Sequence, residues 1–194
     1  TMLVLFAGAG VLWEATDGAR AFTTEGARRL DIRESPRPVP SLTLQDQTGA
    51  RFKIDRFRGK WVIIDFIYTR CTDLCITAGN SLSVIRDALP NDRLGRDILL
   101  LSISFDPTHD TVSQLSYYAK RYRARADHWP IARVSENARL PALLETFGVT
   151  VIPDRWGGYE HNAAIYVIDD RNRLIAIFDH DDPSAVLRFL ESRP

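Results

Sequence analysis

The chain has two cysteines, Cys71 and Cys75, in the stretch Tyr68-Thr69-Arg70-Cys71-Thr72-Asp73-Leu74-Cys75. Two thiols this close can exchange with a disulfide or grip a soft metal, and in both cases the thiolate is the reactive form. The bland alternatives are a structural bridge or two inert buried thiols. A bridge closing so short a loop removes little chain entropy and would be a poor staple for a domain of this size. If a helix starts here, positions i and i+4 place both sulfurs on one side. A two-thiolate site wants a third ligand, and the candidates are His109, His128, His161 and His180. His161 is the best placed, in Gly157-Gly158-Tyr159-Glu160-His161-Asn162, directly before an expected strand. In a sequentially wound sheet that loop folds back over the cysteine loop. Two thiolates and one imidazole suit copper, especially Cu(I). Glu160 is placed to orient or charge-balance the histidine. Asp73 either caps the helix or tunes the site. His109 reads as a turn residue and His180 as part of a solvated loop.

These residues need elements to hold them. Trp61-Val62-Ile63-Ile64-Asp65-Phe66-Ile67-Tyr68 is rich in β-branched and aromatic residues and predicts a buried strand. From Cys75 to Leu89, Ile76, Leu82, Ile85 and Leu89 recur at helical spacing. The cysteines therefore fall where a core strand ends and a helix begins. Unpaired N–H groups and the positive end of the helix dipole favour thiolate there, and Arg70 adds a positive charge. Elsewhere the pattern predicts a hairpin (42–44 and 51–54), strands at 98–104, 131–134, 163–168 and 174–178, and helices at 111–122, 140–147 and 184–191. Residues 151–159 read as a loop whose Trp156 and paired glycines suit a docking surface. The fold class expected is α/β: a central mixed sheet with helices on both faces and an N-terminal β-hairpin.

The 194 residues are enough for one domain with its own core. Lys+Arg and Asp+Glu are both 25, so formal net charge is zero and a broadly basic nucleic-acid footprint is absent. The chain has neither a zinc-finger cysteine pattern nor a Gly-rich phosphate loop. Residues 1–13 are mostly apolar and are read as the remnant of a membrane anchor or signal. Residues 14–39 are read as a linker, with possible helix around Thr24–Leu30 and an end rich in proline, and residues 40–194 as the folded domain.

Taken together, the motifs resemble the Sco/SenC family, the thioredoxin-fold copper chaperones of cytochrome oxidase assembly. The resemblance runs from about Val39 to Glu191. It is carried by Arg58-Gly59-Lys60-Trp61, the strand ending at Tyr68, Cys71-x-Asp73-x-Cys75, Ser104-Phe105-Asp106-Pro107-Thr108-His109-Asp110-Thr111, and His161 ahead of its strand. It implies a thioredoxin-like fold and copper, as Cu(I) or Cu(II), bound by Cys71, Cys75 and His161. It also implies a periplasmic or intermembrane-space domain on one N-terminal anchor. The expected client is cytochrome c oxidase subunit II, whose binuclear copper site such proteins help to build by delivering copper, by reducing its cysteines, or both. An upstream copper donor or thiol reductant is implied with it. The sequence departs from the family at Thr72 and Ile76, where proline is usual, and at Glu160 and Asn162, where Asp and Ser flank the histidine. The reading is thus a metallochaperone; the alternative is a thiol–disulfide oxidoreductase using Cys71 and Cys75. The spacing, CxxxC rather than CxxC, argues mildly against that alternative as the main role.

Overall fold

The strand predicted ahead of the cysteines is the middle of the sheet, and six of its seven residues are buried. The structure, a computed structural model, describes Trp13, Thr16, residues 23–71 and residues 74–193. In chain order its elements are α1 (Thr24–Glu34), β1 (Arg37–Pro38), β2 (Thr43–Asp46), β3 (Arg51–Lys53), β4 (Trp61–Ile67), α2 (Leu74–Ala88), β5 (Ile98–Ser104), α3 (Val112–Tyr122), β6 (Ile131–Val134), α4 (Leu140–Phe147), β7 (Val151–Pro153), β8 (Tyr159–His161), β9 (Ala164–Ile168), β10 (Arg173–Asp179) and α5 (Pro183–Glu191).

The main sheet has the order β1-β10-β9-β4-β5-β6-β2-β3. β5 runs parallel to β4 and to β6, and the other pairs are antiparallel. Alternate side chains of β4 serve two layers, as the period of two requires. Trp61 meets Phe189 of α5, with ring centroids 6.2 Å apart. Phe66 meets Phe147 of α4 at 5.1 Å. α2 packs on α5 and α3 on the first face, while α1 lies on β10. Arg28 of α1 donates to the Phe147 carbonyl of α4 at 2.6 Å, which ties the second layer together. This is the expected α/β architecture, including the β2–β3 hairpin, which pairs Leu44 with Phe52.

Two details set how closely the layers pack. A Cβ on Gly79 of α2 would lie 2.5 Å from Tyr122 Cζ of α3, so glycine lets the helices approach. Asp65 of β4 is wholly buried, and neither carboxylate oxygen has a hydrogen-bond partner. Burial pushes its carboxyl up to about 7.

The N-terminal part differs from the sequence reading. The possible helix around Thr24–Leu30 is α1, and it is packed rather than part of a linker, with Ile32 wholly buried. The linker's prolines are extended, as expected, but Arg37 and Pro38 form an edge strand on β10. Pro38 suits that place, since an edge strand spares the missing N–H. The packed unit therefore starts at α1 rather than at Pro40. The helix is mostly charged, and its charges find partners far along the chain, such as Arg29 with Asp179 at 2.6 Å. No helix of the described residues is long and apolar enough to cross a membrane. The apolar stretch 1–13, apart from an exposed Trp13, lies outside the described residues.

Candidate metal centre

The parallel ladder carries past the end of β4: Phe105 N donates to Ile67 O at 2.9 Å. The chain then turns, with Cys71 N donating to Tyr68 O at 3.1 Å. Cys75 lies in the first turn of α2, as the i, i+4 reading expects, and its N–H donates to Cys71 Sγ at 3.3 Å. That sulfur so accepts from one of the N–H groups that a helix start leaves free. Tyr118 of α3 donates its hydroxyl to the Cys75 carbonyl at 3.3 Å, fixing the turn from beneath. Cys75 is buried and Cys71 half-buried, and no disulfide joins them.

His161 arrives from the other side. The expected loop 151–159 is a separate antiparallel hairpin of β7 and β8, in which Val151 pairs with His161. Its strands are short, and its tip is held by Asp154, whose Oδ1 accepts from Trp156 N at 2.7 Å and from Gly158 N at 2.8 Å. Gly157, at φ 81°, takes the left-handed conformation that this turn needs. The imidazole packs against Phe105 at 5.0 Å and Tyr68 at 6.1 Å between centroids. Tyr159 fills the same aromatic wall, 5.2 Å from Tyr68. His161 Nδ1 donates to the Asn162 carbonyl at 3.3 Å. That leaves Nε2 as the nitrogen able to ligate a metal, and it faces Cys75 Sγ at 3.6 Å.

The two sulfurs and an imidazole nitrogen all lie within 4.8 Å of one another. Ligand bonds of about 2.3 Å to sulfur and 2.0 Å to nitrogen, opened to a trigonal angle, put S and N roughly 3.7 Å apart. The observed 3.6 Å already meets that figure. The donor set is soft and three-coordinate, which fits Cu(I) better than hard cations.

The electrostatics differ from expectation. Cys71 beside it and burial together push the Cys75 thiol far up. Two thiolates in one dry place repel, and the helix terminus does not offset that. Nor does Arg70, whose guanidinium pairs with buried Asp106 at 2.9 Å. A cation between the sulfurs would supply the missing positive charge.

Of the other residues chosen from sequence, Asp73 lies outside the described residues. Glu160 is exposed and alternates away from Tyr159 and His161 on β8; the Asn162 carbonyl, not Glu160, orients the imidazole. His109 sits in a turn, as expected, but its Nδ1 is 2.8 Å from Asp106 Oδ1. His128 pairs with Asp127 at 2.8 Å. Among the described residues, Cys71, Cys75 and His161 are the only group of metal-binding character. The sequence reading did not single out Tyr68, Phe105 or Asp110 as parts of the site. Their one signal was that they fall within the motifs flanking the cysteines and His109.

Comparison with known proteins gives the fold and the family. A protein of Stutzerimonas stutzeri is 30% identical over 117 residues, which is 60% of this chain and 55% of that one. This chain thus spans little more than half the length of that relative. The structure of a SCO1/SenC family lipoprotein from Bacillus anthracis superposes with a TM-score of 0.73 at 17% identity, covering 81% of this chain and 96% of the other. The copper-bound structure of Arabidopsis thaliana ScoI gives 0.67 at 20% identity, covering 80% and 99%. At these identities the two structures speak for the fold. The family itself is fixed by a sequence model that matches residues 31–189, from the end of α1 to the last turn of α5 and across every part of the Cys–Cys–His site. The chain belongs to the SCO1/SenC family.

Proposed function

We propose that this protein is a copper metallochaperone that holds Cu(I) between Cys71, Cys75 and His161 and hands it to a copper-receiving protein. The observation that carries the proposal is the convergence of two sulfurs and an imidazole nitrogen from separate elements within 4.8 Å. Copper bound to the Arabidopsis relative supports the same reading. On loading, each protonated thiol loses its proton as its sulfur takes the ion. Release is ligand exchange. A sulfur or nitrogen of the receiving site enters as one of this chain's ligands leaves, and copper need not change oxidation state. The half-buried Cys71 and His161 are the ligands within reach of an incoming group; buried Cys75 anchors the ion.

The client we propose is the binuclear copper site of an oxidase subunit II, or a related cuproprotein, met outside the cytoplasm by a domain tethered through its N-terminal segment. Beside the site the β7–β8 hairpin presents Trp156 at 81% exposure, and Ile152 is exposed on the same hairpin. A client can dock on these exposed side chains of the hairpin that carries His161.

A second reading is favoured by one contact. The Cys75 N–H that reaches Cys71 Sγ favours a Cys71 thiolate, the form that attacks a disulfide. In that reading Cys71 forms a mixed disulfide with the client, and Cys75 displaces the client's second sulfur, leaving a Cys71–Cys75 disulfide and a reduced client. Anaerobic Cu(I) titration of the reduced protein against a chelator separates the two. One tight equivalent, weakened by Cys71→Ser, Cys75→Ser and His161→Ala alike, supports the chaperone. No tight equivalent, with disulfide reduction that survives His161→Ala, supports the reductase.

A further inference from the structure

The loop between β5 and α3 touches both arms of the metal centre. Asp110 on that loop is wholly buried and accepts from three donors. Thr69 gives its backbone N–H to Oδ2 at 3.0 Å and its hydroxyl to Oδ1 at 2.6 Å, while Ser104 gives its hydroxyl to Oδ2 at 2.5 Å. Thr69 stands two residues before Cys71. Asp106, also buried, holds Arg70 at 2.9 Å, one residue nearer to the sulfur. The same loop begins with Phe105, whose ring backs His161 at 5.0 Å. The loop is closed on itself: Asp110 N donates to the Asp106 carbonyl at 2.9 Å, and Asp106 N to Ser104 Oγ at 3.0 Å.

We infer that Asp110 is a positioning residue for the metal centre. It clamps the turn carrying Cys71 at a fixed distance from the histidine that Phe105 supports. A wholly buried carboxylate is an expensive way to close a loop, because leaving water costs it more than a hydroxyl or amide would lose. Burial does push the Asp110 carboxyl up despite its three donors. Its gain lies in geometry, since one planar group grips both the amide and the hydroxyl of Thr69. Preorganised ligands bind better because ordering them costs nothing at the moment of binding.

The inference rests on the copper reading. It is tested with Asp110→Asn, which keeps the shape and loses one acceptor, and with Thr69→Val, which keeps the amide and loses the hydroxyl at a half-buried position. Thr69→Ser keeps the hydroxyl and is the control. Asp110→Asn and Thr69→Val are expected to weaken Cu(I) binding roughly 10–100-fold, the usual effect of losing a group that orients a ligand. Thr69→Ser should stay near wild type. In metal-free protein, the Thr69 amide should be protected from hydrogen exchange and should exchange faster in Asp110→Asn, with the melting midpoint little changed. Unchanged Cu(I) affinity in both variants would overturn the inference. So would loss of affinity that only follows loss of folding in both, which would make Asp110 a stability residue. A wild type that takes up no Cu(I) would overturn the copper reading, and this one with it. A wild type that binds while Thr69→Val binds equally well would overturn this one alone.

Discussion

Phe105 backs His161, their ring centroids 5.0 Å apart and their planes tilted by 59°. The contact joins the end of the parallel β4–β5 ladder to a hairpin outside the main sheet. Phe105→Leu keeps an apolar side chain there and loses the flat wall. It should weaken Cu(I) binding roughly tenfold, as loss of an orienting neighbour does. His161→Ala removes a donor outright and should cost more than that, while alkylation of Cys71 continues at close to the wild-type rate. Equal Cu(I) affinities for wild type and His161→Ala would remove the imidazole from the ligand set.

Loading should depend on pH through Cys75. Its thiol is pushed up by Cys71 and by burial, so the free protein keeps that proton across neutral pH. A form with copper on the Cys75 sulfur would lack it. Apparent affinity should therefore rise with pH, by about tenfold per unit for each proton displaced. Competition titrations between about pH 6 and 8 would read this slope directly. A flat profile would mean that Cys75 is already a thiolate or is not a ligand.

Asp65 predicts a different pH effect, on the metal-free fold. Its carboxyl is pushed up to about 7 from an ordinary 3.8. The folded state then holds the proton where the unfolded chain has released it, so stability falls as pH rises from about 4 to 7 and stays low above. A shift of this size corresponds to on the order of 4 kcal/mol. Asp65→Asn should flatten the curve and raise the melting midpoint at neutral pH. Denaturation across this range, wild type against variant, checks it; parallel curves would show that Asp65 is not the group responsible.

Gly79→Ala tests the α2–α3 contact. Alanine favours helix by roughly 1 kcal/mol over glycine. Its Cβ, however, would meet the Tyr122 ring at 2.5 Å. Overpacking of this kind costs about 1–3 kcal/mol. The clash should win, lowering the melting midpoint by roughly 2–4 °C per kcal/mol. Since Tyr118 of α3 holds the Cys75 carbonyl, a shift of α3 should also loosen the cysteine turn.

The docking face is tested by Trp156→Ala. The side chain is far too exposed to matter to stability. Cu(I) affinity should stay at the wild-type value while transfer to a client slows several-fold. Transfer at the wild-type rate would remove Trp156 from the docking surface.

The heart of the site was legible in sequence because its signals are local. Buried β4 reads as a run of β-branched and aromatic residues, and α2 follows with apolar residues at helical spacing, so the sulfurs fall between them. His161 was legible as the histidine just ahead of a strong strand. What stayed hidden depends on distant partners. The β7–β8 strands have three residues each, too few for any period to show. α1 was legible as a possible helix, but its charges have partners as far off as Asp179, so its place in the packed unit did not show. Arg70 looked like a free cation until Asp106 from the next strand's end took it up. Glu160 looked adjacent to His161 because it is adjacent in the chain, but strand geometry turns neighbours to opposite faces.

The hairpin that carries His161 has a sheet of its own and belongs to no strand of the main one. An ion bound at the proposed site would be a cross-link between that hairpin and the core, closing a span of 86 residues between Cys75 and His161. Any species that binds only the folded form adds to its stability, by about 4 kcal/mol at a thousandfold excess over its dissociation constant. Cargo and resistance to proteolysis would then rise and fall together. A loaded molecule would reach its client with a stiff docking face, and one that had discharged its ion would leave with a looser hairpin, marked as empty by its own mobility.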